Sequence, residues 1–388
     1  MHVIGEEEVQ AVRRIIESKE LFRYSGPNNE TAQFEKEWAE KIGAAHAIAV
    51  TSGTAALICG LAGLDVGPGD EVIIPGYTFM ATALAPLAVG AVPIIAEVDE
   101  SLTIDPRDIE RKVTPRTKAV IPVDMNGLPC DMEAVMQVAR KHNLKVLEDA
   151  CQADGGSYKG KRLGSIGDAG GFSFNQFKII ACGEGGAVVT SDRQVYERAL
   201  IHHDGGCVFR GHDMSTPFFA GWNFRMNEVL SAIMRVQLQR LEDILAALRA
   251  EKKIMMGELE HETAFRFSPV HDAEGDCATY LGLLFESGDR ARAFLQPLSE
   301  AGVSAYTPID SGRHVYVNWE PVLQKRGAHH PGRDAYHLAK AAVEYSADMC
   351  PQTLSALERT VFIGTSATRS REDLMGTIAT IRKAASRC

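Results

Sequence analysis

The chain has 388 residues, 45% of them hydrophobic and 24% charged, which suits a soluble globular protein able to bury a large core without disulfides or metals. Asp and Glu total 51 against 41 Lys and Arg, a formal charge of −10 with no basic stripe or block, and this excludes nucleic acid as the main partner. The amino terminus lacks the basic and apolar segments of a secretion signal, no apolar run is long enough to span a bilayer, and the eight cysteines include no Cys-x-x-Cys pair. Together these features predict a cytoplasmic protein with reduced thiols, no membrane partner and, from its length, two domains.

Val9, Val12 and Ile16 fall at helical spacing. His46–Val50 then reads as a buried strand, and Ala55–Leu64 as a helix closed by the turn Gly67-Pro-Gly-Asp70. Glu71–Pro75 and Val92–Val98 are further strands, with a helix around Ala81–Val89 between them. Asp105-Pro106 has the pattern of an N-cap and first helical residue. Lys118–Val123 and Lys145–Asp149 are strands separated by a helix that Asp131 caps. This alternation predicts an α/β fold, a mostly parallel sheet with helices on both faces. A long helix over Glu228–Leu248 closes a large domain of residues 1–248. Residues 249–388 form a smaller α+β domain, with a strand at Cys277–Phe285 and a helix at Arg290–Ala301. Its last helix opens at Ser370-x-x-Asp373 and carries Leu374, Ile378 and Ile381 on one face.

Open α/β sheets bind ligands at the carboxyl ends of their strands, and three unusual stretches fall there. Ser52-Gly-Thr-Ala-Ala56 follows the first strand and opens a helix. Its small residues let backbone N–H groups approach an anion, although the same turn also serves as ordinary helix capping. Asp149 ends a very apolar strand, where a carboxylate either faces a ligand or cation or caps the next segment. Lys178 ends the run Gly170-Gly-Phe-Ser-Phe-Asn-Gln-Phe-Lys178 and is followed by Ile179 and Ile180. A lone lysine is nearly always a solvated surface residue. One partly removed from water serves as a nucleophilic amine toward carbonyls, as Schiff-base chemistry requires.

Further pieces extend this set. They are Ser52-Gly-Thr-Ala-Ala-Leu57, Pro75-Gly-Tyr-Thr-Phe-Met-Ala-Thr82, Glu148-Asp-Ala-Cys-Gln-Ala153, Phe172-Ser-Phe174, Gly183-Glu-Gly-Gly186 and Gly221-Trp-Asn-Phe-Arg225. In this order, with Lys178, they are highly specific: the chain resembles the DegT-type sugar aminotransferases, a branch of the fold type I pyridoxal-phosphate enzymes, from about residue 6 to the end. The resemblance implies an aspartate-aminotransferase-like large domain with a mostly parallel seven-stranded sheet. It also implies that Lys178 holds pyridoxal 5'-phosphate as a Schiff base and then shuttles a proton. Asp149 would pair with the pyridinium nitrogen, Phe79 stack on the ring, and Gln152 sit near the ring hydroxyl. Backbone N–H groups of Gly53 and Thr54, with Ser173, would hold the phosphate. Asn223 matches an asparagine that the neighbouring subunit contributes in this family, so a homodimer with shared active sites is implied.

Two departures bear on the substrate. The family often has Pro-Val-His where this chain has Pro122-Val-Asp124, and an aromatic, His-rich strand where it has Glu274-Gly-Asp-Cys-Ala-Thr-Tyr280. The second resembles the aminotransferase that makes an eight-carbon amino-ulosonate, and Phe22-Arg-Tyr24 points the same way. Arg23 and Tyr24 are thus candidate substrate contacts, with Arg23 either clamping a carboxylate or making an ordinary ion pair. Cyclitol aminotransferases are equally close in style. Arg313, His314, Tyr316 and Trp319 are candidates to line the pocket from the small domain, and Glu184 shapes a glycine-rich turn. His202-His203 and His329-His330 lack ligand-spaced partners, read as loop or helix-surface residues, and imply no metal.

The expected activity is a ping-pong transamination from L-glutamate or L-glutamine to a keto or aldehyde group of a sugar, ulosonate or cyclitol. One rival is a pyridoxamine-phosphate-dependent sugar dehydratase, against which Lys178 speaks. The other is a non-catalytic cofactor-binding regulator, against which Lys178, Asp149 and Phe79 together speak.

Overall fold

A computed structural model of the protein describes residues 3–24, 26, 29–205, 214–339 and 343–387. The five apolar runs of the first half become β1 (His46–Val50), β2 (Glu71–Pro75), β3 (Val92–Ala96), β4 (Thr117–Val120) and β5 (Lys145–Asp149). A small hairpin, β6 (Ser157–Tyr158) and β7 (Lys161–Arg162), precedes β8 (Ala169–Ser173) and β9 (Gly186–Thr190). The large sheet has seven strands in the order β1-β9-β8-β5-β4-β2-β3. All neighbours are parallel except β9, which runs against both β1 and β8. Strand β8 carries a glycine pair, a composition that argues against a strand. The reason is a close backbone approach: a Cβ on Gly170 would lie 2.2 Å from the Gly164 carbonyl oxygen.

Helices Gly53–Gly63, Ala81–Val89, Pro106–Lys112 and Met132–His142 connect these strands, and Arg193–His203 follows β9. Their starts follow the capping residues read from the sequence. Asp105 accepts from the Arg107 N–H and Asp131 from the Ala134 N–H. Helix Glu30–Ile42 drives Phe34 and Trp38 into the core. There the Trp38 ring meets Phe172 and Phe174 edge-on, with centroids 5.0 and 5.2 Å away.

The helix expected to end at Leu248 runs unbroken from Glu228 to Leu259. The turn into the second half therefore follows residue 259, and a boundary at 248 falls inside the helix. Beyond it lies a four-stranded antiparallel sheet of β10 (Arg266–Phe267), β11 (Tyr280–Leu284), β12 (Ala305–Tyr306) and β13 (Thr360–Gly364), in the order β10-β11-β13-β12. Helices Gly288–Glu300 and Arg371–Ala385 share its core, where Leu374, Ile378 and Ile381 join Phe294 and Leu298. Ser370 caps the last helix by accepting from the Asp373 N–H.

The first helix, Glu6–Ser18, forms as the spacing predicts, but with the opposite face inward. Glu8, Ala11 and Ile15 are buried, while Val9 and Ile16 are 50% and 55% exposed. Gln237 and Arg240 draw Glu8 inward by donating to its carboxylate. No described helix is long and apolar enough to cross a membrane.

The Trp38 cluster predicts its own test. Trp38→Ala removes a fully buried indole with its edge-on contacts and is expected to lower unfolding stability by ~3–5 kcal/mol. Denaturant unfolding followed by circular dichroism measures this, and an unshifted midpoint would contradict the packing described.

Candidate active site

The carboxyl ends of β1, β5 and β8 open on one cleft of about 730 Å³, which the C-terminal domain closes from the other side. At the end of β1 the chain turns directly into helix Gly53–Gly63. Ser52 is spent as its cap, accepting from the Ala55 N–H at 3.1 Å. The first-turn N–H groups of Gly53 and Thr54 have no intrahelical partner and head the helix dipole, a site suited to a phosphate. Gly53 is required by space, since a Cβ there would lie 2.7 Å from the Ser173 Cβ and 2.9 Å from the Cys151 Sγ. Ser173, the last residue of β8, thus faces the same turn.

Asp149 terminates β5 and is 4% exposed. Its Oδ2 accepts from the Thr82 hydroxyl at 2.7 Å and its Oδ1 from the Cys151 N–H at 3.2 Å. The Thr78 hydroxyl lies 2.7 Å from that of Thr82, so two threonines from the segment after β2 orient the carboxylate. Thr82 was legible only as part of the quoted 75–82 motif, and its helical spacing from Phe79 was the available signal for this role.

Lys178 lies on the connection between β8 and β9, which an Asn175–Gly183 bridge narrows. Its own N–H donates to the Asn175 carbonyl at 2.9 Å, and its Nζ makes no hydrogen bond or ion pair among the described residues. Glu184 also lines the cleft, accepting from Asn175 Nδ2 at 3.2 Å, so it does more than shape a turn. Phe79 presents a half-exposed ring at the same cleft, 5.4 Å from the His314 ring. His314 Nδ1 pairs with the Ser311 carbonyl at 3.0 Å. Burial lowers the pKa of His314 below its ordinary value, the Ser311 bond opposes this, and Lys178 adds to the lowering. Gln152 lines the cleft and accepts from the Asn126 N–H at 3.1 Å.

The sequence-predicted residues divide sharply here. Gly53, Thr54, Phe79, Asp149, Gln152, Ser173, Lys178 and His314 all line the cleft. Arg23, Tyr24 and Tyr316 do not. Arg23 is 3% exposed, donates to Glu35 at 2.5 Å and to the Ala49 carbonyl at 3.0 Å, and contacts His203 Nε2 at 3.1 Å. This is the ion-pair reading, with the core rather than the surface as its setting. His203, expected on a helix surface, is buried because Arg23 and the Leu200 carbonyl engage its two nitrogens. Tyr24 donates to Asp204 at 2.6 Å. Tyr316 is fully buried and donates to the Ala347 carbonyl at 2.6 Å, while buried Trp319 donates to the Arg313 carbonyl. Asn223 lies outside this chain's cleft, bridged to Asp204, and accepts from the Arg225 N–H.

Asp124 points away from the cleft, so the Pro122-Val-Asp124 departure alters the floor beneath it. Burial, then the charges of Glu148 and Asp149, hold the Asp124 carboxyl well above the usual carboxylate range. Thr279 and Tyr280, in the Glu274–Tyr280 stretch singled out above, line the cleft, as do three residues that sequence reasoning missed: Asn126, Tyr306 and Ser311. They come from irregular segments and short strands of low periodicity, so no spacing marked them. The described residues include no cluster of His, Cys, Asp and Glu able to hold a metal, and the six described cysteines are free.

Comparison with known proteins places this geometry in a family. The model of the DegT/DnrJ/EryC1/StrS aminotransferase family matches residues 2–326, and the chain belongs to that family. It is 37% identical over 339 residues to the spore coat polysaccharide biosynthesis protein SpsC of Bacillus subtilis, covering 84% of each chain. A Streptoalloteichus tenebrarius protein, named for an L-glutamine:3-amino-2,3-dideoxy-scyllo-inosose aminotransferase activity, is 31% identical over 86% of this chain and 83% of its own. Among solved structures, 3-amino-5-hydroxybenzoic acid synthase superposes with a TM-score of 0.82 at 29% identity, over 99% of this chain and 97% of that one. The chain is thus an aminotransferase of the α/β class, and pyridoxal phosphate is the cofactor. The residues present fit it: a helix N-terminus cradled by Gly53 and Ser173, an exposed aromatic face, a buried oriented carboxylate and an unpaired lysine.

The placement of Arg23 separates a structural role from a substrate clamp. Arg23→Ala leaves Glu35 buried without its cation and is expected to destabilise the fold by ~3–5 kcal/mol. A thermal melt checks this; a rise in substrate KM with an unchanged melt would restore the clamp.

Proposed function

We propose that the protein moves an amino group from L-glutamate or L-glutamine to the ketone of a sugar-like or cyclitol acceptor, with Lys178 as the reacting amine. The observation that carries this reading is an unpaired Lys178 amine converging with the oriented, buried Asp149 carboxylate on one cleft. When bound, pyridoxal phosphate supplies an electron sink and stores the amino group between the two halves of the reaction. The chain's own residues do the rest. Gly53, Thr54 and Ser173 anchor the phosphate, and Phe79 covers the ring. Asp149 keeps the ring nitrogen protonated, its charge fixed by Thr82 and Cys151. Gln152 sits at the ring hydroxyl. Lys178, which lines the cleft, would hold the cofactor and serve as the acid–base group for proton transfer at the substrate carbon.

A dehydratase reading finds less support, because that chemistry has no need of a reacting amine at residue 178. A regulator that has lost turnover would have no reason to keep Lys178, Asp149 and Phe79 together. The protein acts as a cytoplasmic homodimer in this reading. Ile4, Val9, Ile16, Leu21, Phe22 and Trp222 are exposed apolar side chains, from 44% to 55% accessible, of the kind that a subunit interface covers. Asn223, next to Trp222 and outside its own cleft, would complete the phosphate site of the partner subunit.

Two measurements test this. Cofactor-loaded protein is expected to show a yellow absorption band that fades with L-glutamate or L-glutamine, and Lys178→Ala to lose both the band and the turnover. A band indifferent to both donors would contradict the reading. For the dimer, mixing the inactive Lys178→Ala and Asn223→Ala variants after dissociation is expected to restore activity, because each hybrid regains one intact site. No recovery from a mixture that forms hybrids would place Asn223 outside the site.

A further inference from the structure

The stretch Gly221-Trp-Asn-Phe-Arg225 is paired on both sides. Toward β1, the Thr51 N–H donates to the Phe224 carbonyl at 3.0 Å, and Val50 bridges Arg225. Toward the end of helix Arg193–His203, the Trp222 and Phe224 N–H groups donate to the His202 and His203 carbonyls at 2.6 and 2.8 Å. The Gly205 N–H returns a bond to the Trp222 carbonyl at 2.8 Å. Gly221 lets these segments meet, since a Cβ there would lie 2.5 Å from the Ile201 and His202 carbonyl oxygens. The backbone of Asn223 is therefore fixed from two directions.

One carboxylate fastens the arrangement. Asp204 directly follows helix Arg193–His203, bridges Asn223 through the backbone, and is fully buried. Its Oδ1 accepts from Arg225 Nη1 at 2.9 Å and its Oδ2 from the Tyr24 hydroxyl at 2.6 Å. Three stretches far apart in the chain are thus joined at one side chain. The Arg225 guanidinium also lies over the Phe22 ring, 5.7 Å from its centroid. A buried charge paired in this way is costly to disturb, so it holds residues 222–225 in one place. Asn223 itself is exposed on that fixed backbone. Its Oδ1 accepts from the Arg225 N–H, which leaves Nδ2 as a donor with no partner among the described residues. A donor amide on a rigid backbone suits an anion, and Asn223 lies outside its own cleft.

We propose that Asp204 is a positioning residue that acts across the subunit boundary. By binding Tyr24 and Arg225 it fixes the segment that presents Asn223, and so sets cofactor affinity in the partner subunit and not in its own. The proposal rests on the dimer reading, in which Asn223 completes the partner's phosphate site.

The test uses hybrid dimers of the full chain, co-expressed with two different affinity tags, purified through both and stripped of cofactor. One subunit of every hybrid carries Lys178→Ala, so only the other can form the yellow band when pyridoxal phosphate is titrated in. Asp204→Asn is placed either in the Lys178→Ala subunit or in its partner, giving two hybrids of identical overall composition. In the first, the band-forming site borrows Asn223 from the altered subunit. Its half-saturating cofactor concentration is expected to rise roughly three- to tenfold, the worth of one hydrogen bond. In the second it should match the hybrid without Asp204→Asn. An equal rise in both, or none in the first, would overturn the proposal. Should the Asp204→Asn chain fail to assemble, Tyr24→Phe removes only the phenol donor and is held to the same one-sided rise. Asn223→Ala in the Lys178→Ala subunit should raise the concentration at least as far. No change there would instead overturn the dimer reading on which the proposal rests.

Discussion

Asp149 is a carboxylate at the carboxyl end of a strand whose last four residues are buried, and an ionised group in such a position is tolerated only where its charge is met. A hydroxyl from Thr82 and an N–H from Cys151 meet part of it. The carboxylate also lines the cleft, where the proposed partner is the protonated ring nitrogen of the cofactor. Much of the surrounding architecture serves that demand. Parallel β4, β5 and β8 bring their carboxyl ends level, and the segment after β2 supplies the threonines. The helix after β1 directs its N-terminus at the same cleft. In the proposed function these two sites would receive the ring nitrogen and the phosphate of one cofactor.

The two sheets divide the labour. The large one supplies charge and backbone donors: Asp149 and the Gly53 turn at strand ends, and Lys178 on the connection between β8 and β9. The small antiparallel sheet supplies neutral surface, with Tyr280 on β11 and Tyr306 on β12. Fixed electrostatics suit a cofactor that never changes, whereas phenols and amides offer directional, uncharged hydrogen-bonding groups. Asn126 joins these regions through Gln152 on one side and Thr279 on the other.

Much of this was legible in the residues, and the failures share a physical cause. Period-two and period-3.6 patterns located β1 to β5 and most of their helices because those segments are buried by local pattern. Strand β8 escaped because its glycines answer to a backbone that comes close only after folding. The stripe of Val9 and Ile16 announced a helix but not its direction, since Glu8 is drawn inward by Gln237 and Arg240 from more than two hundred residues away. Arg23 looked available for a substrate because its partner Glu35 lies on another element. The motif residues at strand ends were readable because their chemistry is unusual where they stand. The opposite wall of the cleft was not, because Asn126 and Tyr306 acquire meaning only from one another.

The reversal of β9 within an otherwise parallel sheet has a consequence of its own. A parallel neighbour must be reached by a crossover, whereas β8 and β9 are joined by a short hairpin-like connection that Asn175 and Gly183 pinch together. Lys178 rides on that connection, so its reach is governed by a brief, locally closed stretch of chain. Lengthening the crossovers elsewhere in the domain would leave the lysine where it is, while a single insertion between residues 174 and 185 would move it. The fold can therefore vary its outer connections freely, with the reacting amine held on the shortest tether the sheet provides.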